Sequence, residues 1–541
     1  MARRDRPDDR TGGRARGGPR VARHVRRPRG GDPPAQRADR GAGPAGRAAA
    51  RAGRARPGPR RSAVLVTADR ADLAFLGARQ LAALVRERTV SPVEITQLYL
   101  ERIDRLDRDL RAYITVLPDA ALETARRAET AVMQGSRVGP LHGVPYAVKD
   151  QFDTAGVRTT SGSRIMEHHI PAEDATTIAR LNAAGGILLG KLNLTEFALG
   201  GTQQFPFGQP RNPWNREHDP GGSSSGSGIA VAAGLCAASL GEDTGGSVRS
   251  PASFCGVVGL RPTWSRVSRH GSFPVSWSMD TPGPLSRTVE DAAWLLQVIA
   301  GYDPKDPLSS REPVPDYART LADGARGLRV GIIRELTFGP ETDAEVRGAV
   351  VEAARSLERL GAVTEEISLR LVPLAGAIFM ALADADGAGV HGRWLRTRAA
   401  DYDQGTRRRL LTASLIPAAI QQRAARARAL VRAEMRDALT RHDLLLCPTA
   451  HQAAPPIAAA RGVITSRHEV AGRFFTRRSY VTPAALAGLP AIAVPCGFTR
   501  SGLPIGLQLI ARHFDEATLL RAAYAYEQQS EWGRRRPPGT S

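Results

Sequence analysis

Ser223 and Ser247 lie 24 residues apart in the stretch GGSSSGSGIAVAAGLCAASLGEDTGGSVRS, residues 221–250, and each follows a glycine. Bare glycine lets a substrate carbonyl come close to backbone N–H groups, so a serine in this setting is a candidate nucleophile. Its hydroxyl needs a base, and no histidine occurs between His218 and His270. A lysine is the alternative. Of 75 basic residues only Lys149, Lys191 and Lys305 are lysines. Where arginine fills nearly every cationic position, a retained lysine points to a need for an amine that can lose its proton.

Two other signatures fail on context. Gly185 to Lys191 (GGILLGK) has phosphate-loop spacing, but Leu192 stands where a Ser or Thr would bind magnesium. Its glycines also end a helix and lead into a strand, the reverse of a phosphate loop. Gly222 to Gly226 fits the G-x-S-x-G elbow of α/β-hydrolases, yet the preceding RNPWNREHDP cannot form the strand that an elbow requires. Ser247 differs, because a strand and Gly245-Gly246 precede it and the helical segment VRSPASFCG follows. The N–H groups of Thr244, Gly245, Gly246 and Ser247 are therefore expected to form an oxyanion hole, aided by a helix N-terminus.

The elements that must position these groups read as α/β. Ser91-Pro92-Val93-Glu94 is a capping box that opens the helix ITQLYLERIDRL, and Asp119 is expected to cap ALETARRAETAVMQ. GVPYAVKD is a strand ending on Lys149. TTIARLNAAGG, IAVAAGLC and VEDAAWLLQVIAG read as helices, with ILLGKL, CAASLGE, VVGLRPT and GLRVGII as strands. Thr342 with Glu345 is expected to cap EVRGAVVEAARSLERLG. DLLLCP, AIAVPCG and IGLQLIA are strands, and DEATLLRAAYAYEQQ is a helix. The pattern predicts a large mixed β-sheet flanked by helices, with an Arg-rich helical cap over about Val372 to Arg441.

Residues 1–62 hold 19 arginines and five aspartates, so they carry +14 of the formal +21. Their Arg/Gly/Pro/Ala composition predicts a disordered extension ahead of a single domain over 63–535. No apolar run of about 18 residues is present, so no membrane span is expected and the protein is read as soluble and cytoplasmic. Cys236, Cys255, Cys447 and Cys496 stand singly in apolar stretches and read as buried thiols, with no metal site.

The stretch from GGSSSGSG through DTGGSVRSPASFCGVVGLRPT resembles the core of the amidase signature family. GPLHGVPYAVKD, FGQPRNPWN, SMDTPGPLSRTVEDAA, LAGLPAIAVPCGF and GLPIGLQLIARHFDEATLL extend the likeness from about Leu73 to Gln528. The resemblance implies a Ser-Ser-Lys triad, with Ser247 as nucleophile, Ser223 as bridging serine after a cis Gly222-Ser223 bond, and Lys149 as base. Burial disfavours the charged amine, and lowering an amine pKa by about 3 units costs about 4 kcal/mol.

Asp243 is read as a loop-fixing acceptor and Arg249 as a loop anchor, with a substrate-carboxylate contact as its alternative. Phe197 is placed at the acyl pocket, while Lys191 and His142 are read as structural. The resemblance requires no metal or organic cofactor. The expected partner is a small-molecule amide, and a homodimer is left open.

A free-standing amidase is preferred to the glutaminase component of glutamyl-tRNA amidotransferase. That component holds the amide donor's amino group with an Asp where this chain has Arg478, and an arginine repels ammonium. The remaining alternative is nonspecific nucleic-acid binding by the basic tail.

Overall fold

Short, largely apolar runs give most of the strands, and amphipathic runs give many of the helices between them. The computed structural model describes residues 70–457 and 466–540. The basic segment and the expected domain start near residue 63 lie outside them.

The strands are β1 Tyr113–Val116, β2 Pro145–Lys149, β3 Ile187–Leu192, β4 Ala238–Glu242, β5 Val258–Arg261 and β6 Pro282–Ser286, then β7 Arg329–Ile333, β8 Val363–Ile367, β9 Leu444–Pro448, β10 Ala491–Phe498 and β11 Pro504–Ala511. Together they form one 11-stranded sheet of order β1-β3-β2-β4-β6-β5-β10-β11-β9-β7-β8. It is mixed, as expected. β2 runs parallel to β3 and β4, and β7 parallel to β8 and β9, while β4 pairs antiparallel with β6 and β10 with β11.

Several helix boundaries follow their caps. Ser91 Oγ accepts from the Val93 N–H, and the Glu94 carboxylate accepts from the Ser91 N–H at 3.1 Å, opening the helix Pro92–Leu110. Thr288 caps Val289–Ile299 and Asp515 caps Glu516–Gln529.

Two caps differ from expectation. The second helix begins at Pro118 after Leu117, so Asp119 sits inside its first turn, where proline's missing N–H costs nothing. Asp343, not Thr342, caps Ala344–Arg359, because Thr342 Oγ1 is occupied by the Leu336 carbonyl at 2.7 Å and Tyr480 Oη at 2.8 Å.

The cap region is helical over Ala375–Thr397, Gln404–Ala413 and Ala418–Arg441. Its first segment, Val372–Thr397, is long and apolar enough to cross a membrane by length and composition, although it holds no unbroken apolar run of about 18 residues. Half of that apolar window is buried within the protein. Asp384 on it pairs with Arg409.

Candidate active site

Parallel pairing of β2 and β4 brings Lys149 and Glu242 together, since each is the last residue of its strand. Antiparallel pairing of β4 with β6 sets Glu242 opposite Pro282 and so delivers Asp280 to the same place. The site thus lies at the carboxyl ends of the parallel strands β2 and β4.

Lys149 is fully buried, and its Nζ lies 2.8 Å from Ser223 Oγ and 3.6 Å from Glu242 Oε2. Burial lowers its pKa to about 8, against the opposing pull of Glu242, Asp280 and Asp243. Near neutral pH a minor fraction of Lys149 is therefore neutral, and that fraction can accept a proton.

Ser223 follows the cis Gly222-Ser223 peptide bond and precedes the helix Ser225–Ala232, which starts four residues earlier than its apolar run suggested. The neighbouring serines have structural tasks. Ser225 Oγ donates to the Gly221 carbonyl at 2.6 Å, and Ser224 Oγ to the Glu242 carbonyl at 3.3 Å.

Ser247 lies in the loop between β4 and the helix Arg249–Cys255. A bond from the Ser224 N–H to the Ser247 carbonyl, 3.3 Å, joins the two serine loops. Exposure increases along the series: Lys149 is sealed, Ser223 is 3 % exposed and Ser247 is half-buried. Ser247 Oγ donates to no described residue, Ser223 included. Such a link can tighten when substrate is in place.

Asp243 fixes the loop. Its carboxylate accepts from the Gly246 N–H at 2.7 Å and the Val248 N–H at 3.2 Å, takes both Arg249 Nε and Nη2 at 3.0 Å, and meets Arg261 Nη1 at 3.1 Å. Burial alone pushes its pKa up, but Arg249 and Arg261 outweigh that and hold it well below the usual carboxylate range. Arg249 also donates to the Val481 carbonyl at 2.8 Å and to Gln508. Its guanidinium thus makes its hydrogen bonds to Asp243, Val481 and Gln508.

The oxyanion expectation is corrected at one position, because the Gly246 N–H is committed to Asp243. The N–H groups of Thr244, Gly245 and Ser247 have no acceptor among the described residues. Close packing explains the two glycines. A Cβ at Gly245 would meet the Phe379 ring at 2.3 Å, and one at Gly246, where φ is +113°, would meet Val481 at 2.4 Å.

Phe197 differs from its expected place at an acyl pocket. It is fully buried and packs against Phe273, His391, Trp394 and Tyr402, tying the β3 connection to the helical cap. Lys191 is structural, with Nζ 2.7 Å from both the Phe152 carbonyl and Thr159 Oγ1. His142 Nε2 contacts the Ala128 carbonyl at 2.9 Å. All four cysteines are buried and unpaired, and no acidic, histidine or cysteine cluster among the described residues has metal-binding geometry.

Glu242 and Asp280 escaped the reading of the sequence. Thr244 Oγ1 lies 2.9 Å from both Glu242 Oε1 and Asp280 Oδ1. One hydroxyl has one hydrogen, so satisfying both contacts requires a carboxyl to donate. Burial and the neighbouring Glu242 push Asp280 up to about 8, and burial also raises Glu242. Both carboxyls are thus pushed toward their protonated forms beside Lys149. The cue was present in LGEDTGGS, where two adjacent acids end an apolar strand.

Residues 94–520 match the family model described as Amidase. The chain is 41 % identical over 493 residues to the A component of the Moorella thermoacetica glutamyl-tRNA(Gln) amidotransferase, covering 86 % of this chain and 99 % of that one. Among solved structures, the corresponding component from Thermotoga maritima superposes with a TM-score of 0.74 at 34 % identity, covering 87 % and 99 % of the two chains. The peptide amidase of Stenotrophomonas maltophilia gives 0.75 at 33 % identity, covering 87 % and 100 %. Fold, site geometry and similarity agree, and the chain belongs to the amidase signature family of amide C–N-cleaving enzymes.

Proposed function

We propose that the protein cleaves a carboxylic amide through an acyl-enzyme on Ser247. The observation that carries this reading is the buried Lys149 amine 2.8 Å from Ser223 Oγ, at the loop that holds Ser247. Ser247 Oγ attacks the amide carbonyl as its proton passes to Ser223 and the Ser223 proton to Lys149. The N–H groups of Thr244, Gly245 and Ser247 receive the developing oxyanion. The proton returns along the relay to the leaving nitrogen, and water hydrolyses the acyl-enzyme.

Similarity fits the amidotransferase setting better than the free-standing amidase preferred from sequence, because the 41 % identity spans nearly the whole of that relative. A protein partner and a cytoplasmic location follow from that setting. The exposed Leu374, Val390, Leu411, Leu415, Ile420 and Leu430, all on the helical cap, support a partner-binding face.

Ammonia release from glutamine and simple primary amides, measured for the protein alone and with candidate partner proteins, tests both parts. Ser247→Ala is expected to fold and to lose turnover and the acyl-hydroxamate formed with hydroxylamine. Parental turnover in that variant overturns the mechanism, and glutamine turnover independent of any partner overturns the amidotransferase setting.

A further inference from the structure

Arg478 is half-buried, and its guanidinium has no acceptor among the described residues. Burial, Arg409 and Arg477 together push its pKa down to about 9, against the opposing pull of Asp384. Arg409 is different, since its Nε donates to Asp384 Oδ1 at 2.9 Å. Arg478, Arg409 and Arg477 face the single carboxylate of Asp384, so the cluster carries an excess of positive charge.

The cluster borders the catalytic loops on three sides. A Cβ at Gly200 would stand 3.6 Å from Arg478 Nη2 and 3.7 Å from Arg409 Nη1, and the Gly200 N–H is bonded to Thr195 Oγ1 at 3.1 Å. The Thr195 N–H in turn donates to the Ser223 carbonyl at 3.2 Å. One turn after Arg478, Val481 packs on Gly246. On the helix Ala375–Thr397, Phe379 abuts Gly245, and Asp384 lies further along and holds Arg409.

We infer that Arg478 receives a carboxylate carried by the amide substrate, so that the preferred substrate is the monoamide of a dicarboxylic acid without an ammonium group near that carboxylate. This rests on the amide cleavage proposed above and not on the amidotransferase setting, because it disfavours glutamine as the amide donor. An arginine fork matches a carboxylate in a bidentate way, and a half-buried guanidinium without an acceptor leaves that fork open to a ligand. A zwitterion such as glutamine brings its ammonium toward two guanidiniums, which opposes binding.

The test compares glutaramate, pentanamide and glutamine as substrates of the parent, Arg478→Gln and Arg478→Lys. The parent is expected to favour glutaramate over both others in kcat/KM. Arg478→Gln should lower the glutaramate-to-pentanamide ratio about tenfold or more, mainly through KM, and Arg478→Lys should restore part of it. Thermal stabilisation by glutarate, read in Ser247→Ala and in Ser247→Ala/Arg478→Gln, needs no turnover and should be confined to the protein that retains Arg478.

An unchanged substrate ratio with normal turnover overturns the carboxylate assignment and leaves amide cleavage standing. Arg478-dependent glutarate binding without turnover of any amide overturns the cleavage and leaves the anion site. Glutarate stabilisation that ignores Arg478 overturns the assignment in either case.

Discussion

Glu242 Oε2 stands 3.6 Å from Lys149 Nζ with both side chains fully buried, so the proposed base is charged or neutral according to what this one carboxyl does. Burial pulls the lysine pKa down and Glu242 pushes it back up. The neutral form is the active one, so kcat/KM should rise with pH through about 8 and level off above it. Glu242→Gln removes the largest force favouring the ammonium, and its rising limb should move to lower pH. A limb that stays in place or moves upward in a pH–rate profile contradicts this coupling.

Asp243 is the shared carboxylate partner of Arg249 and Arg261 inside the protein. Asp243→Asn leaves two buried guanidiniums facing a neutral amide, and a loss of about 3–5 kcal/mol in denaturant-derived stability is expected, with activity falling at the same time. Loss of activity with an unchanged unfolding midpoint would mean that Asp243 acts on the substrate and not on the loop.

Gly246→Ala should damage both fold and chemistry. Its backbone conformation disfavours any Cβ, and Val481 occupies the space the methyl needs. A stability loss of about 1–3 kcal/mol is expected, with a larger fall in kcat than in KM because the displaced loop carries the Ser247 N–H.

Phe197→Ala separates packing from substrate contact. Emptying the ring's place among Phe273, His391, Trp394 and Tyr402 should cost about 3–5 kcal/mol. Near-parental KM for short amides should accompany that loss, and a large KM change at parental stability would return Phe197 to the acyl pocket.

The elements around the site were legible because each announces itself locally. The apolar run ending on Lys149, the Ser91–Glu94 capping box and the glycines before Ser247 all appear where composition placed them. β6 was not legible, because PGPLS has two prolines in five residues and reads as a break. It serves as a strand because β5 pairs only with its last two residues, leaving Pro282 and Pro284 to pair on one side. Asp280 was missed for a related reason. Its closeness to Glu242 is set by antiparallel register, and no local pattern encodes a contact 38 residues apart. Sequence spacing likewise made four oxyanion donors equivalent, whereas the position of the Asp243 carboxylate removes Gly246 from the set.

The Asp243 junction also bears on how the enzyme fails when heated. Through Arg249 it reaches Val481 and Gln508, more than 200 residues away in the chain, and through Arg261 it reaches the Met279 carbonyl. A loop tied in this way has no low-energy route to melt separately from the sheet beneath it. Catalytic competence should therefore persist on warming until the fold itself gives way, with inactivation and loss of secondary structure sharing one transition.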